Sequence, residues 1–92
     1  MKLLEKQIEQ ALVKHVKALG GMAEKYTSPN RRSVPDRAIS LPNGVMIWVE
    51  LKGSGKKPTE AQERDHARRR ALGHRVMVID SLEQVNRFPE ED

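Results

Sequence analysis

Residues 35–52, PDRAISLPNGVMIWVELK, have the pattern of a β-hairpin and decide the fold. The second half is rich in valine, isoleucine and tryptophan, which favour strands, and the first half supplies a partner strand. Between them, Leu41-Pro42-Asn43-Gly44 fits a three-residue loop. Pro42 suits position i+1 of a type I turn, and Gly44 suits the left-handed conformation of a G1 bulge. The stretch therefore predicts two antiparallel strands joined by a tight turn.

The length of the loop sets which side chains face each other across the hairpin. With strands over residues 36–41 and 45–52 joined by three residues, Asp36 lies opposite Glu50, and both carboxylates project from one face of the sheet. A two-residue Asn43-Gly44 turn would shift the pairing by one residue and place Asp36 on the opposite face from Glu50. We prefer the three-residue loop, which brings the two acids together.

The flanking sequence predicts an α/β fold with the order α-β-β-β-α-β-α, a mixed central sheet flanked by helices, in one domain spanning residues 1–92. The second helix carries few apolar residues, so we expect it to face solvent or a partner. The acidic tail over residues 89–92 is expected to fray. The remaining predicted elements are a helix over residues 3–19 that ends at Gly20-Gly21, a strand over 22–27, a loop over 28–35, a helix from the capping box Thr59-Glu60-Ala61-Gln62 to residue 72, a strand over 74–80 and a short helix capped by Ser81.

Composition limits the classes of function open to the chain. It has 92 residues, 37% of them hydrophobic, and no cysteine. A chain of this length buries one modest core and cannot enclose a large cofactor. Without cysteine it has no disulfide and no thiolate zinc site, which fits a reducing compartment. No apolar run is long enough to cross a membrane, and the N-terminus is unlike a secretory signal, so we expect a cytoplasmic protein with no membrane contact.

The net charge of +4 comes from clustered basic residues. Such clusters suit a polyanion, because each phosphate contact releases counterions, although they are also compatible with a surface that only confers solubility. The three aromatic residues are too few for a base-stacking platform, which argues against a single-strand binder. We predict duplex or branched DNA as the partner, with contacts from Lys25, Arg31, Arg32, Arg37, Lys56, Lys57, Arg64 and Arg68.

Asp36, Glu50 and Lys52 form the constellation that carries chemistry. In a strand, Glu50 and Lys52 share a face while Leu51 points to the core. Two carboxylates side by side are costly unless a proton or cation lies between them, and Mg²⁺ or Mn²⁺ prefers carboxylate and carbonyl oxygens, such as the Leu51 carbonyl. Lys52 could then orient the attacking water and neutralise a phosphate. Taken singly, an ExK triplet such as Glu50-Leu51-Lys52 usually forms only a surface ion pair, and a PD pair such as Pro35-Asp36 usually begins a turn.

The run KYTSPNRRSVPDR at residues 25–37, followed by Val49-Glu50-Leu51-Lys52 and then Gln62, resembles the VRR-NUC (virus-type replication-repair nuclease) family, and in particular its small stand-alone bacteriophage members. The resemblance covers most of the chain. That family belongs to the PD-(D/E)xK superfamily, so the resemblance implies a restriction-endonuclease-like core and a metal-dependent DNA nuclease. Ser33 stands where many relatives have glycine, which bears on the conformation of the loop more than on the chemistry.

The resemblance also implies roles for individual residues. Asp36 and Glu50 would be the metal ligands together with the Leu51 carbonyl, and Lys52 would be the catalytic lysine. The acid that holds a metal-bound water from the first helix would be Glu9. Glu5 lies at a similar angle on that helix and is the alternative. It is the second choice because it lies nearer the fraying end of the helix.

A second set of polar and aromatic residues has structural explanations as well. By resemblance, Gln62 would face the site, although the capping box explains it without any function. His66 lies one turn after Gln62 and is expected to be solvated. We expect His15 to be structural and Trp48 to pack in the core.

The leading hypothesis is a Mg²⁺- or Mn²⁺-dependent DNA endonuclease that prefers branched or four-way junction DNA in phage replication, recombination or repair. It would act in the host cytoplasm if the chain is phage-encoded. We also expect a homodimer, because the domain is small, its second helix is nearly all polar, and stand-alone relatives are thought to pair. One alternative is a non-catalytic DNA-binding module that retains the nuclease fold, and another is a protein-interaction domain. A nicking assay with and without EDTA separates the three.

Overall fold

The computed structural model describes residues 2–90, which form three α-helices and a four-stranded sheet in the predicted order. None of these helices is long and apolar enough to cross a membrane. Of the acidic tail that was expected to fray, residues 91 and 92 lie outside the described range. The elements are α1 (Glu5–Ala18), β1 (Met22–Lys25), β2 (Arg37–Leu41), a 3₁₀ turn (Pro42–Gly44), β3 (Val45–Leu51), α2 (Glu60–Ala71), β4 (Arg75–Ile79) and α3 (Leu82–Arg87).

The sheet is mixed, as predicted, with the strand order β1-β2-β3-β4. The pairs β1-β2 and β2-β3 are antiparallel, whereas β3 and β4 are parallel. A parallel neighbour requires a crossover connection, which α2 supplies between β3 and β4. This topology places β3, which carries the ExK triplet, in the interior of the sheet.

The hairpin has the predicted three-residue loop and register. Leu41 pairs with Val45 at the turn, and the ladder continues from there to the far end of β2. The turn type differs from the prediction, however. Asn43 has φ of 69° and Gly44 has φ of 76°, so both are left-handed. A type I turn needs a negative φ at its third residue, and asparagine is one of the few side chains that tolerates the positive value.

The apolar core lies between α1, α3 and one face of the sheet. Three side chains of α1 are fully buried there, namely Ile8, Leu12 and Val16, whereas Leu4 and Leu19 at the two ends of the same apolar repeat are 71% and 40% exposed. The close approach of α1 to β2 depends on Gly21, because a Cβ at that position would collide with the carbonyl oxygen of Ser40. The buried core residues are Ile8, Leu12, Val16, Ile39, Ile47, Val49, Leu51, Ile79, Val85 and Phe88.

Trp48 does not pack in this core, so the prediction for it is wrong. Side chains alternate along a strand, and Trp48 therefore points away from its buried neighbours in β3. The half-buried ring lies on the α2 side of the sheet, where its centroid is 4.8 Å from that of Tyr26 in an edge-on arrangement. The Arg69 guanidinium lies 4.4 Å from the Trp48 ring centroid, and the indole N–H donates to His74 Nδ1 at 3.1 Å.

The prediction that α2 faces only solvent or a partner is also wrong. The helix buries Asp65 and His66, which are 1% and 2% exposed. Their polar atoms have internal partners: Asp65 pairs with two arginines, and His66 lies against Glu50. A helix with few apolar residues can therefore dock on the sheet through satisfied polar contacts.

Candidate active site

Asp36 is held at the end of β2 between the two neighbouring strands. Its backbone N–H donates to the carbonyl of Val49 at 3.1 Å, and its carbonyl accepts from the N–H of Tyr26 at 2.9 Å. The side chain is fixed as well, since Oδ2 accepts a hydrogen bond from the Leu51 N–H at 2.8 Å. The carboxylate of Asp36 is thereby attached to β3 beside Glu50.

Glu50 is buried, with 2% of its surface exposed, and protein groups surround both of its oxygens. Oε2 accepts from Gln62 Nε2 at 3.2 Å and lies 3.9 Å from Lys52 Nζ. Oε1 lies 3.4 Å from His66 Nε2. Gln62 and His66 are four residues apart, so they lie on one face of α2. The helix α2 therefore contacts β3 at the Glu50 carboxylate.

Asp36 and Glu50, hereafter the acid pair, lie within hydrogen-bonding reach of each other. Burial, the negative charge of Asp36 and a hydrogen bond with Asp36 together raise the pKa of Glu50 to about 8, with burial the largest cause. Lys52 opposes the shift without cancelling it. In the absence of a cation, a proton on Glu50 relieves the repulsion between the two acids near neutral pH.

Gln62 serves the helix and the site with different atoms. Its Oε1 accepts from the backbone N–H of Thr59 at 2.9 Å, and its own backbone N–H donates to Thr59 Oγ1 at 3.1 Å. The side-chain amide still has its NH₂ group, which donates to Glu50. The capping box and the contact with the acid pair therefore coexist in one side chain.

The two candidate acids on α1 have different surroundings. Glu9 Oε2 lies 3.0 Å from Arg37 Nε, so its charge is compensated locally. Burial raises the pKa of Glu5, and the negative charge of Asp36 raises it further, while Lys52 lowers it. Glu5 thus lies close enough to Asp36 for their charges to interact, whereas Glu9 forms an ion pair with Arg37.

The donor set fits a hard divalent cation. Within residues 2–90, no three His, Cys, Asp or Glu side chains converge into a complete metal site. What does converge is the acid pair, with Asp36 hydrogen-bonded to the backbone N–H of Leu51, the residue after Glu50. Mg²⁺ is commonly held by one or two carboxylates, with waters and substrate phosphate oxygens completing its shell. Burial and the nearby charge of Asp36 both disfavour the ionised form of Glu50, and such a cation would favour it.

One of the residues predicted to contact DNA is occupied inside the protein. Arg37 is 13% exposed, pairs with Glu9, and donates through Nη1 to the carbonyl of Ala23 at 2.7 Å. It therefore fixes α1 to β1 and β2. The other predicted contacts are exposed at the surface, namely Lys25, Arg31, Arg32, Lys56, Lys57, Arg64 and Arg68.

Sequence reasoning missed the two buried polar residues of α2. His66 was expected to be solvated, and that prediction is wrong because its ring lies against Glu50. Its spacing of four residues from Gln62 was a usable signal, since it puts both side chains on one helix face. Asp65 carried a weaker signal, because an aspartate within an arginine-rich run reads as an ordinary surface ion pair.

Comparison with known proteins identifies related nucleases. No protein-family model matches the chain. A relative in Acyrthosiphon pisum secondary endosymbiont phage 1, named "Putative nuclease p44", is 52% identical over 85 residues, which is 92% of this chain and 91% of the relative. A solved structure described as a VRR_NUC domain superposes with a TM-score of 0.87 at 34% identity and covers 90% of each chain. The resemblance seen in the sequence and the fold it implied are confirmed, and the chain belongs to the VRR-NUC family of nucleases.

Proposed function

We propose that this nuclease is a Mg²⁺- or Mn²⁺-dependent DNA endonuclease that hydrolyses phosphodiester bonds, preferably in branched or four-way junction DNA. Its role would lie in phage replication, recombination or repair, in the cytoplasm of the host cell. The observation that carries the proposal is the burial of Glu50 against a second carboxylate and beside Lys52. Such an arrangement is unfavourable without a cation and useful with one.

Asp36, Glu50 and the carbonyl of Leu51 would hold the cation. When bound, such a cation lowers the pKa of water and stabilises negative charge on a phosphate oxygen. Among the helix acids we favour Glu5 over Glu9 for a hydrogen bond to water at this site. Glu5 interacts electrostatically with the acid pair, whereas Glu9 is engaged by Arg37.

Lys52 supplies the positive charge of the site. Its side chain is 15% exposed, and Nζ lies 3.9 Å from Glu50 Oε2, a distance that leaves it free to contact a phosphate oxygen as well. In this position the ammonium group can orient the attacking water and neutralise charge that develops on the scissile phosphate. Gln62 assists by holding the carboxylate that Lys52 faces.

The alternative from another class is a DNA-binding module without catalysis. A module of that kind has no use for two carboxylates that repel each other, one of them buried, because they reduce stability and repel the phosphate backbone. The exposed basic residues serve both alternatives equally. The acid pair therefore favours the enzyme.

The test is a nicking assay on plasmid, linear duplex and four-way junction DNA, with Mg²⁺, Mn²⁺ or EDTA. We expect nicks with either cation, none in EDTA, and faster cleavage of the junction. Asp36→Asn serves as the matched inactive variant, and Lys17→Ala, on the exposed side of α1, as a surface control. Tight binding of junctions without any nick in either cation would favour the DNA-binding module.

We further propose that the active form is a homodimer. The docking of α2 on the sheet weakens the argument from its polar sequence, but Leu72 at the end of α2 is 77% exposed and could be covered in a dimer. A two-fold dimer would carry two acid pairs related by symmetry, which suits a four-way junction. Sedimentation at micromolar concentration tests this, and a clean monomer that cuts junction and duplex equally well would overturn it.

A further inference from the structure

Asp65 of α2 is a buried carboxylate that joins the helix to the loop before Asp36. Arg31 of that loop donates through Nη2 to one carboxylate oxygen, and Arg69 donates through Nε to the other at 2.7 Å. The Asp65 side chain is 1% exposed. Burial of a charge is tolerated only when it is paired and hydrogen-bonded, a condition that the two guanidinium groups meet. The loop and α2 are therefore fixed to each other.

Arg69, one of the two arginines that pair with Asp65, also contacts the residues at the start of the loop. The Arg69 guanidinium lies 5.6 Å from the ring centroid of Tyr26 and 4.4 Å from that of Trp48. Tyr26 is also tied to Asp36 through its backbone N–H. The segment between residues 26 and 36 is thus restrained at both ends by contacts within the protein.

A pocket of about 320 Å³ opens within this segment, next to the acid pair. We refer to it as the loop pocket; its polar lining consists of Tyr26, Thr27, Ser28, Arg31, Arg32 and Asp36. Apart from Asp36, these polar groups can all donate hydrogen bonds, and two carry positive charge. Because Asp36 belongs both to the loop pocket and to the acid pair, an anion in the pocket would lie beside the phosphate at the acid pair.

Arg31 is suited to present its guanidinium to such an anion. The side chain is 45% exposed although Asp65 holds its Nη2. A guanidinium has five N–H donors in a rigid plane, so the pairing with Asp65 leaves donors available. A donor group that is already held in place loses little entropy when a ligand binds.

We propose that the loop pocket binds the DNA backbone phosphate next to the one that is cut, and that Asp65 is the positioning residue that prepares it through Arg31. This inference rests on the proposed function, since it defines a subsite of the same active site. Arg31 and Arg32 then have different roles. Arg31 is a fixed donor anchored on α2, whereas Arg32 adds positive charge at the exposed rim.

The experiment uses DNA in which single phosphates around the mapped cut are replaced by uncharged methylphosphonate. Dissociation constants are measured in EDTA for the wild type, Arg31→Ala, Asp65→Asn and the control Lys17→Ala, which removes an exposed positive charge from the last turn of α1 that is not among the predicted DNA contacts. For the wild type we expect one position next to the cut to weaken binding about tenfold. Arg31→Ala should weaken binding of unmodified DNA by a similar factor and become insensitive to that position.

Asp65→Asn should show reduced sensitivity at the same position, and Lys17→Ala should keep the wild-type pattern. If Arg31→Ala retains full sensitivity at every phosphate next to the cut, the loop pocket is not the subsite. If Asp65→Asn keeps the wild-type pattern while Arg31→Ala loses it, Asp65 has no positioning role. Should Asp65→Asn fail to fold, Arg31→Lys replaces it, because it keeps the charge and removes the planar donor set.

Failure of this inference is distinguishable from failure of the proposed function. The cut is mapped with Mg²⁺ in a separate assay, whereas phosphate interference is measured without metal. Cleavage that depends on the acid pair, without interference at a flanking phosphate, would overturn only the loop pocket. Interference that depends on Arg31, in a protein that never cleaves, would overturn the enzyme and leave the loop pocket as a phosphate contact of a DNA-binding module.

Discussion

The two faces of the sheet are built on different principles. Between α1 and the sheet the buried side chains are apolar, for example Leu12 of α1 and Ile47 of β3, each fully shielded from water. The face under α2 buries Glu50, Asp65 and His66, and each of these depends on specific partners. Removal of apolar area from water stabilises the fold without regard to exact partners, whereas a buried polar group is tolerated only while its partners remain in place.

This difference indicates where stability and chemistry reside. The α1 face supplies the free energy that holds the domain together, and the α2 face uses part of it to keep two acids close. Proteins commonly retain unfavourable arrangements at functional sites and compensate for them elsewhere. Substitutions on the two faces should therefore have separable effects on stability and on cleavage.

The largest expected effect comes from Asp36→Asn, which removes one charge of the acid pair. Cleavage should fall on the order of a thousandfold or more, because the cation loses a ligand and the phosphate loses the charge stabilisation it provides. Without metal the variant should melt at the same temperature as the wild type or higher, since repulsion is relieved. Mg²⁺ should raise the melting temperature of the wild type alone. A variant that melts markedly lower in EDTA would contradict the functional role.

Leu12→Ala tests the opposite face. The side chain is fully buried in α1, so its truncation should destabilise the protein by about 2–5 kcal/mol in urea unfolding. Leu72→Ala is the matched control, because a leucine that is 77% exposed should change stability by less than about 0.5 kcal/mol. Turnover per folded molecule should be unchanged in both variants at low temperature. Loss of turnover in a folded Leu12→Ala protein would show that the two faces are coupled.

The pH dependence of stability tests the acid pair directly. The folded-state pKa of Glu50, about 8, lies above the ordinary glutamate value of 4.5. Stabilisation by its protonated form is therefore complete below about pH 4.5 and is lost as the pH rises through about 8. Glu50→Gln cannot lose this proton, so in EDTA it should gain a few kcal/mol relative to the wild type between pH 5 and pH 9. If the free energies of unfolding of the two proteins changed with pH in parallel, the raised pKa of Glu50 would be contradicted.

The smallest expected effect comes from His66→Ala, compared with His15→Ala. His66 contacts Glu50, so its loss should reduce kcat about tenfold by loosening that carboxylate. His15 instead lies 2.9 Å from the carbonyl of Phe88 through Nε2, between α1 and the end of α3. Its substitution should lower the melting temperature and leave kcat unchanged. If both substitutions changed kcat equally, a role in catalysis could not be assigned to the α2 side of the sheet rather than to the α1 side on the basis of His66.

Much of the fold was predictable because its signals are local. Proline and glycine in the turn, with alternation on either side, were enough to predict the length and register of the hairpin and hence the pairing of Asp36 with Glu50. The caps of α2 and α3 follow from Thr59 and Ser81 in the same way, since an N-cap depends on residues within one turn. The turn type was predicted wrongly, because asparagine accepts a left-handed conformation that propensity alone does not indicate.

The sequence by itself thus determined the order of the elements, the register that brings the acid pair together, and the family. Only the tertiary structure decided that Trp48 lies outside the core, that His66 and Asp65 are buried, and that Glu9 is paired with Arg37. The physical reason is the range of the forces involved. Backbone conformation responds to neighbours along the chain, whereas burial and charge pairing arise between residues that meet only when helices dock on the sheet.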